Sequence, residues 1–227
     1  MVKNVGEIAL TVAILLSLVF AQESTQELVQ KAQAGDASAQ IQVGMMYAFG
    51  KGVPKDSETA MVWLKKAADQ GNAEAEYRLG GMYDVGVHPP QPATAIKWYQ
   101  LAAKQGYPNA EYRLAEMYLS GRGVTPNDAQ AATWFQKAAG NGRADAQFQL
   151  GQLYEQGKGV TQDYKLAFKW YSAAAAQRQA QAEYKLGRLY EQGLGVAQSN
   201  SQAVQWYTQA SQHGNPDARA ALDAMQK

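Results

Sequence analysis

Few residues in this chain have both the type and the spacing for chemistry. Carboxylates fall in near pairs, Glu74 with Glu76 and Glu183 with Glu191. Two carboxylates held side by side can share general acid and general base work. Any charged helix surface shows such spacings, however, so these four are read as solvated charges. The two histidines, His88 and His213, lie far apart in sequence and fall at expected loops, so no pair stands at metal-ligand spacing. There is no Cys, which excludes a disulfide framework, a thiolate metal site and a Cys nucleophile. No Ser is followed three residues later by Lys, and there is no His-Glu-x-x-His, Walker loop or dinucleotide glycine fingerprint. The expectation is a protein with no catalytic residue, no metal and no cofactor, and therefore not an enzyme.

Charge narrows the partners. The 227 residues carry 21 Lys and Arg against 20 Asp and Glu, a net charge of +1. A general nucleic-acid binder needs a strongly basic face, so nucleic acid is excluded as a partner. The hydrophobic share of 46% is ordinary for a globular protein, and the richness in Ala and Gln favours closely packed helices.

The elements that position these residues repeat. Trp63, Trp98, Trp134, Trp170 and Trp206 are spaced 35, 36, 36 and 36. Tyr47, Tyr83, Tyr118, Tyr154 and Tyr190 keep step, as do Gly50, Gly86, Gly121, Gly157 and Gly193. Ala39, Ala75, Ala110, Ala146, Ala182 and Ala218 form a further series. Self-similarity at such a period marks an array of stacked units. Five units are counted at 35–70, 71–105, 106–141, 142–177 and 178–213, with capping helices expected at 22–34 and 214–227.

One unit, Gly142 to Gln177, can be read from physics. Ala146, Leu150, Leu153 and Tyr154 form a helical stripe. Gly157 is the expected left-handed C-cap, Gly159 helps turn the loop, and Asp163 is the expected N-cap of a second helix. The matching caps are Asp56, Asn127 and Ser199. Ala167, Trp170, Tyr171 and Ala174 form the second stripe. Gly151 lies inside the first helix at a cost of ~1 kcal/mol against Ala. It recurs as Gly44, Gly80 and Gly187, with Ala115 in the third unit, which implies close approach of a neighbouring helix. The Trp, Tyr and Ala stripes are expected to be core. Each unit is a pair of antiparallel helices, and one pair cannot bury both faces alone, so neighbours stack into an all-α solenoid.

The first 21 residues read as an address. Lys3 precedes the apolar run Ile8 to Phe20, and Val19-Phe20-Ala21 fits cleavage before Gln22. Thirteen residues are short for a spanning helix, which needs about 20. A signal peptide at 1–21 is expected, with the mature chain periplasmic or secreted and not stably inserted in a membrane.

The pattern A-x-x-x-L-G-x-x-Y-x-x-G-x-G-V, then a capping residue and A-x-x-W-Y-x-x-A-A, resembles the Sel1-like repeat of the tetratricopeptide-like superfamily. It is written here as AQFQLGQLYEQGKGV with AFKWYSAA, and as AEYKLGRLYEQGLGV with AVQWYTQA. The resemblance covers Gly35 to His213 and implies an exported bacterial member with a right-handed solenoid. Such members act as adaptors for protein partners in envelope signalling, polysaccharide control or cell contact. It carries two further readings, an envelope hydrolase of β-lactamase-like type and a polysaccharide-binding assembly factor. The second unit departs from the pattern: Gly86-Val87-His88-Pro89-Pro90-Gln91-Pro92 is one residue shorter, and Pro92 suits a first helical position.

In helical-pair solenoids the first helices line the concave wall. A protein or peptide partner is expected against Arg78, Arg113, Gln149, Lys185 and Arg188, and the four cations suit an acidic one. The alternative is a solvated face in which Glu74, Glu116 and Glu191 pair with Arg78, Arg113 and Arg188 along their own helices. Tyr77, Tyr112 and Tyr184 stand at the edge of the core beside them. Five helices stacked at ~10 Å give a wall of about 50 Å, long enough for an extended peptide of ~15 residues.

Overall fold

The structure is a computed structural model that describes residues 25–87 and 89–225. The export segment expected at 1–21, and His88, lie outside the described residues. Among the described residues there are twelve α-helices, one π-helical turn and no strand. The chain divides into two compact units, residues 1–98 and 99–227.

In the first unit, α1 (25–33) leads into α2 (Ala37–Phe49), α3 (Ser57–Ala68), α4 (Ala73–Gly81), the π turn (Met82–Gly86) and the start of α5 (Pro92–Lys104), inside which the division falls. The second unit continues with α6 (Pro108–Ser120), α7 (Asp128–Gly140), α8 (Ala144–Gln156), α9 (Tyr164–Ala175), α10 (Ala180–Gln192), α11 (Asn200–Gln212) and α12 (Pro216–Met225). Successive helices pack on one another from α2 to α4 in the first unit and from α6 to α12 in the second.

Local chemistry sets the helix ends. The side chains of Asp56, Asn127, Asp163 and Ser199 each accept from a backbone N–H in the first turn of α3, α7, α9 and α11. Gly50, Gly121, Gly157 and Gly193 close α2, α6, α8 and α10 in the left-handed conformation, with φ between 67° and 75°. Each loop is tied by one recurring bond: the N–H of the capping residue donates to the carbonyl of a Tyr nine positions earlier. The pairs are Asp56 with Tyr47, Asn127 with Tyr118, Asp163 with Tyr154 and Ser199 with Tyr190, at 2.8–3.0 Å. In the short second repeat the donor is Gln91, only eight positions after Tyr83, at 2.7 Å. There the helix widens into the π turn before the loop, a local change typical of a one-residue mismatch. Pro92 opens α5, as its fixed φ favours.

The core differs from the expected stripe in one respect. Phe135, Tyr171 and Tyr207 are fully buried, whereas the preceding Trp134, Trp170 and Trp206 are half-buried. The Trp series is therefore not the inner core. Trp170 lies against the cluster of Phe135 and Leu150, and Trp206 against that of Tyr171 and Leu186. Lysines cover the outer indole faces, Lys66 over Trp63 at 4.3 Å and Lys137 over Trp134 at 4.2 Å. The inner place goes to the residue that faces the helix glycine. A Cβ on Gly151 would come within 2.6 Å of the Tyr171 ring, and one on Gly187 within 2.5 Å of the Tyr207 ring. No side chain fits there, which accounts for the glycine in these two helices.

Of the four carboxylates read as solvated, only Glu74 keeps a surface place, and the other three do not. Glu76 and Glu183 are buried, Glu74 holds Arg78, and Glu191 accepts from Tyr207. Glu183 belongs to a row of inward polar side chains on the first helices, with Gln40, Glu111 and Gln147. Each bonds to a residue 30 positions later, at the end of the second helix of its own repeat. Gln70 donates to Gln40 at 2.8 Å, Asn141 to Glu111 at 2.9 Å and Gln177 to Gln147 at 2.9 Å, and the His213 ring lies 2.8 Å from Glu183. Burial of a polar group is tolerable only with such a partner, because an unsatisfied one costs ~1–3 kcal/mol.

Candidate functional site

The first helices carry two sorts of outward residue. In the second unit the position four after the helix glycine is Glu155 on α8 and Glu191 on α10. The Tyr171 hydroxyl donates to Glu155 and that of Tyr207 to Glu191, the latter at 2.5 Å. Lys185 bridges from α10 to both Glu155 oxygens at 2.9 and 3.1 Å. Burial, with the hydrogen bond to and negative charge of the glutamate, pushes both phenols far above their ordinary range. Arg188 faces the same hydroxyls and opposes that shift. It holds no carboxylate within 4.0 Å among the described residues.

The other proposed contact residues fall as follows. Arg78 gives Nε and Nη2 to Glu74 Oε1 at 2.8 and 2.6 Å, and Nη1 to the Met45 sulfur at 3.5 Å. Arg113 pairs with Glu116 at 2.9 Å. Gln149 is half-buried on α8. Tyr77 is half-buried on α4. Tyr112 stands edge-on to Phe135 with Arg143 over its ring at 4.3 Å, and burial first of all lifts its phenol to about 12. Tyr184 packs on Tyr207 at 5.5 Å. The structure thus gathers Lys185, Arg188 and Tyr184 around the Tyr171–Glu155 and Tyr207–Glu191 pairs. Arg78 and Arg113 already hold glutamates of their own helices.

Sequence reasoning missed an apolar site in the first unit. A cavity of about 470 Å³ lies between α2 and α4, with Ile41, Met45, Met46 and Phe49 as its apolar lining and Ser38, Gln42, Lys51, Glu74 and Arg78 as its polar one. The signal was present in the register: Phe49 stands where α6, α8 and α10 carry Ser120, Gln156 and Gln192.

No group of three His, Cys, Asp or Glu converges as a metal site among the described residues, and no described helix is long and apolar enough to cross a membrane.

An array of helix pairs whose outward first-helix positions vary over a repeating core defines a helical-repeat scaffold. The chain belongs to the Sel1 repeat family, whose repeat matches 37–72, 73–107, 108–142, 144–178 and 180–215. Each match begins two residues after the turn residue from which the units were counted above. Among solved structures, a protective antigen of uropathogenic Escherichia coli displaying an SLR fold is 40% identical, with a TM-score of 0.85 over 88% of this chain and 43% of its own. A Sel1 repeat protein from Oxalobacter formigenes is 30% identical, with a TM-score of 0.75 over 93% of this chain and 86% of its own. An ERAD-associated E3 ubiquitin-protein ligase component of Arabidopsis thaliana is 37% identical over 65 residues, 28% of this chain and 10% of that protein. The chain thus spans less than half the length of the antigen and a tenth of the plant protein.

Proposed function

We propose that this chain is an exported, non-catalytic adaptor, periplasmic or secreted, that holds a protein partner on the outward face of its first helices. Sel1-repeat solenoids are in general protein-interaction scaffolds, and the family is in general non-catalytic. One observation carries the reading for this chain. The framework residues hold to type from repeat to repeat, while the first-helix positions outside the core change freely. Met45, Glu116, Gln152 and Arg188 occupy one such position, and Phe49, Val85, Ser120, Gln156 and Gln192 another. A constant frame with a varied face is what recognition of a particular partner requires.

The finer reading is an acidic partner on the second unit. Of the cations singled out there, Arg113 and Lys185 already hold glutamates, so Arg188 is the one left to meet a partner carboxylate, and its planar fork suits that role. The experiment is a pull-down from periplasmic extract with the wild-type chain and with Arg188→Ala. One stoichiometric protein, weakened about tenfold or more by the change and by added salt, supports both parts. A partner indifferent to Arg188 removes the acidic contact and keeps the adaptor. Recovery of sugar polymer alone, or turnover of a β-lactam, overturns the adaptor. N-terminal sequencing of exported protein decides the address: Gln22 is expected, and an intact Met1 in membranes overturns a free mature chain.

A further inference from the structure

Of the apolar residues lining the first-unit cavity, Ile41 and Met45 belong to or pack on a hydrophobic core cluster, whereas Phe49 packs on none of the described clusters. Phe49 is 63% exposed at the end of α2, although the same position is polar on three other first helices and the fold is complete there without an aromatic. Met45 and Met46 lie half-exposed one turn before it, and Ile41 floors the groove. Exposed apolar surface rimmed by polar groups marks a contact site more often than an accident, and Met thioethers adapt to whatever shape enters. The opening of about 470 Å³ lies within the size range of small ligand sites, with room for one large side chain and its adjoining backbone.

The rim carries the second clue. Arg78 is neutralised by Glu74 and turned onto Met45. Lys51 has no such partner: its ammonium sits 5.8 Å from the Phe49 ring and makes no ion pair among the described residues. With Arg78 and Glu74 cancelling each other, the partly apolar groove therefore presents one uncompensated positive charge, that of Lys51. Its complement is an apolar side chain with a carboxylate close by in sequence.

We propose that this groove is a docking site for a peptide segment of a partner protein, which inserts one large apolar side chain between α2 and α4 and sets an Asp or Glu on Lys51. The proposal rests on the first-helix face being the docking surface, and it adds a second anchor point, apolar where that on α10 is charged.

The test is a random dodecapeptide phage library selected on the full chain. Enriched peptides are then made with a fluorescent label and titrated by polarisation against wild type, Phe49→Ser, Lys51→Glu, Arg113→Ala and Arg188→Ala. All four side chains lie at the surface or half-buried, and an unchanged melting temperature verifies each fold. Enriched peptides are expected to share a Leu, Met or aromatic residue within two positions of an acidic one. Phe49→Ser should weaken them on the order of tenfold or more, and Lys51→Glu by about three- to tenfold, the latter fading in high salt. Arg113→Ala, in the other unit and already paired with Glu116, should leave them unchanged. Failure to enrich, or peptides that bind Phe49→Ser and Lys51→Glu as well as wild type, overturns the groove. Peptides lost on Arg188→Ala but kept by Phe49→Ser overturn the groove while supporting the adaptor reading, whose own failure shows separately in the pull-down.

Discussion

In the first unit, Gly44 of α2 faces Leu64 of α3, and the residue four positions after the glycine is Ala48. In the second unit, Gly151 faces Tyr171 and Gly187 faces Tyr207, and the residues four positions on are Glu155 and Glu191. The α6–α7 seam in the same unit has Ala115, Phe135 and Leu119 at these places. The three positions thus change as a set. A buried phenol needs an acceptor, and glutamate supplies it. Where the hydroxyl is absent the third position becomes apolar. One backbone seam is closed either by shape alone or by shape plus a polar tether. Where the tether is present the outward face is charged. On α2, where the third position is Ala48, the outward face is Met45, Met46 and Phe49.

This contrast can be broken most sharply at its centre. Tyr171→Ala should cost about 3–5 kcal/mol in urea unfolding, as for a wholly buried aromatic that leaves a cavity. Trp170→Ala, one residue away but half-exposed, should cost about 2 kcal/mol. Equal losses would return the Trp series to the core. The glycines come next. Gly151→Ala should cost about 2–3 kcal/mol, because the flat Tyr171 ring cannot move aside. Gly44→Ala should cost less, about 1–2 kcal/mol, since its Cβ would meet Leu64 at 2.9 Å and the Ala60 carbonyl at 3.1 Å, a milder overlap than at Gly151, and Ala favours the helix. Comparable losses would mean that the two seams are the same.

The polar tether itself gives a smaller effect with a pH signature. Tyr171→Phe should cost about 1–2 kcal/mol at pH 7, the worth of a hydrogen bond to a charged group. The folded phenol titrates far above the unfolded one, so its contribution is whole below about pH 10 and falls as pH rises beyond that value. Wild-type stability should therefore drop more steeply above pH 10 than that of a Tyr171→Phe, Tyr207→Phe double variant. Parallel curves would remove the tether. The smallest change should be a gain. Arg178 has φ 61° where the other repeat junctions have Gly35, Gly71, Gly106, Gly142 and Gly214, all with positive φ. Arg178→Gly should stabilise by about 0.5–1 kcal/mol by removing left-handed strain.

The repeat, its two helices and their caps were legible because each depends on local signals that recur five times. Asp163, Gly157 and the helix glycines needed only their own chemistry and register to be placed. Side-chain pairing across the seam was not legible. Trp170 and Tyr171 are neighbours on one stripe, and only the closeness of Gly151 decides which ring turns inward. The carboxylates failed for the same reason: Glu183 looks like a surface charge until His213, 30 residues on, is brought beside it. The basic face of α10 was found from spacing, but its compensation by Glu155 comes from a different helix. The Phe49 groove was passed over because its residues fit an apolar stripe, and exposure is a property of the packed unit.

The inward polar row bears on how such a chain avoids misassembly. Near-identical repeats invite a helix to pair with the wrong neighbour, a common failure of repeat proteins. Each of the four described bonds joins the two helices of a single repeat, and their chemistry differs: amide with amide at Gln40–Gln70 and Gln147–Gln177, carboxylate with amide at Glu111–Asn141, carboxylate with imidazole at Glu183–His213. Exchanging partners between adjacent repeats of the second unit would set Gln177 against Glu111 or Glu183, or Asn141 or His213 against Gln147, with a side chain one methylene too long or too short or with imidazole and amide interchanged. The row works as a set of keyed locks, so that helices alike in shape still distinguish their own partner from the next.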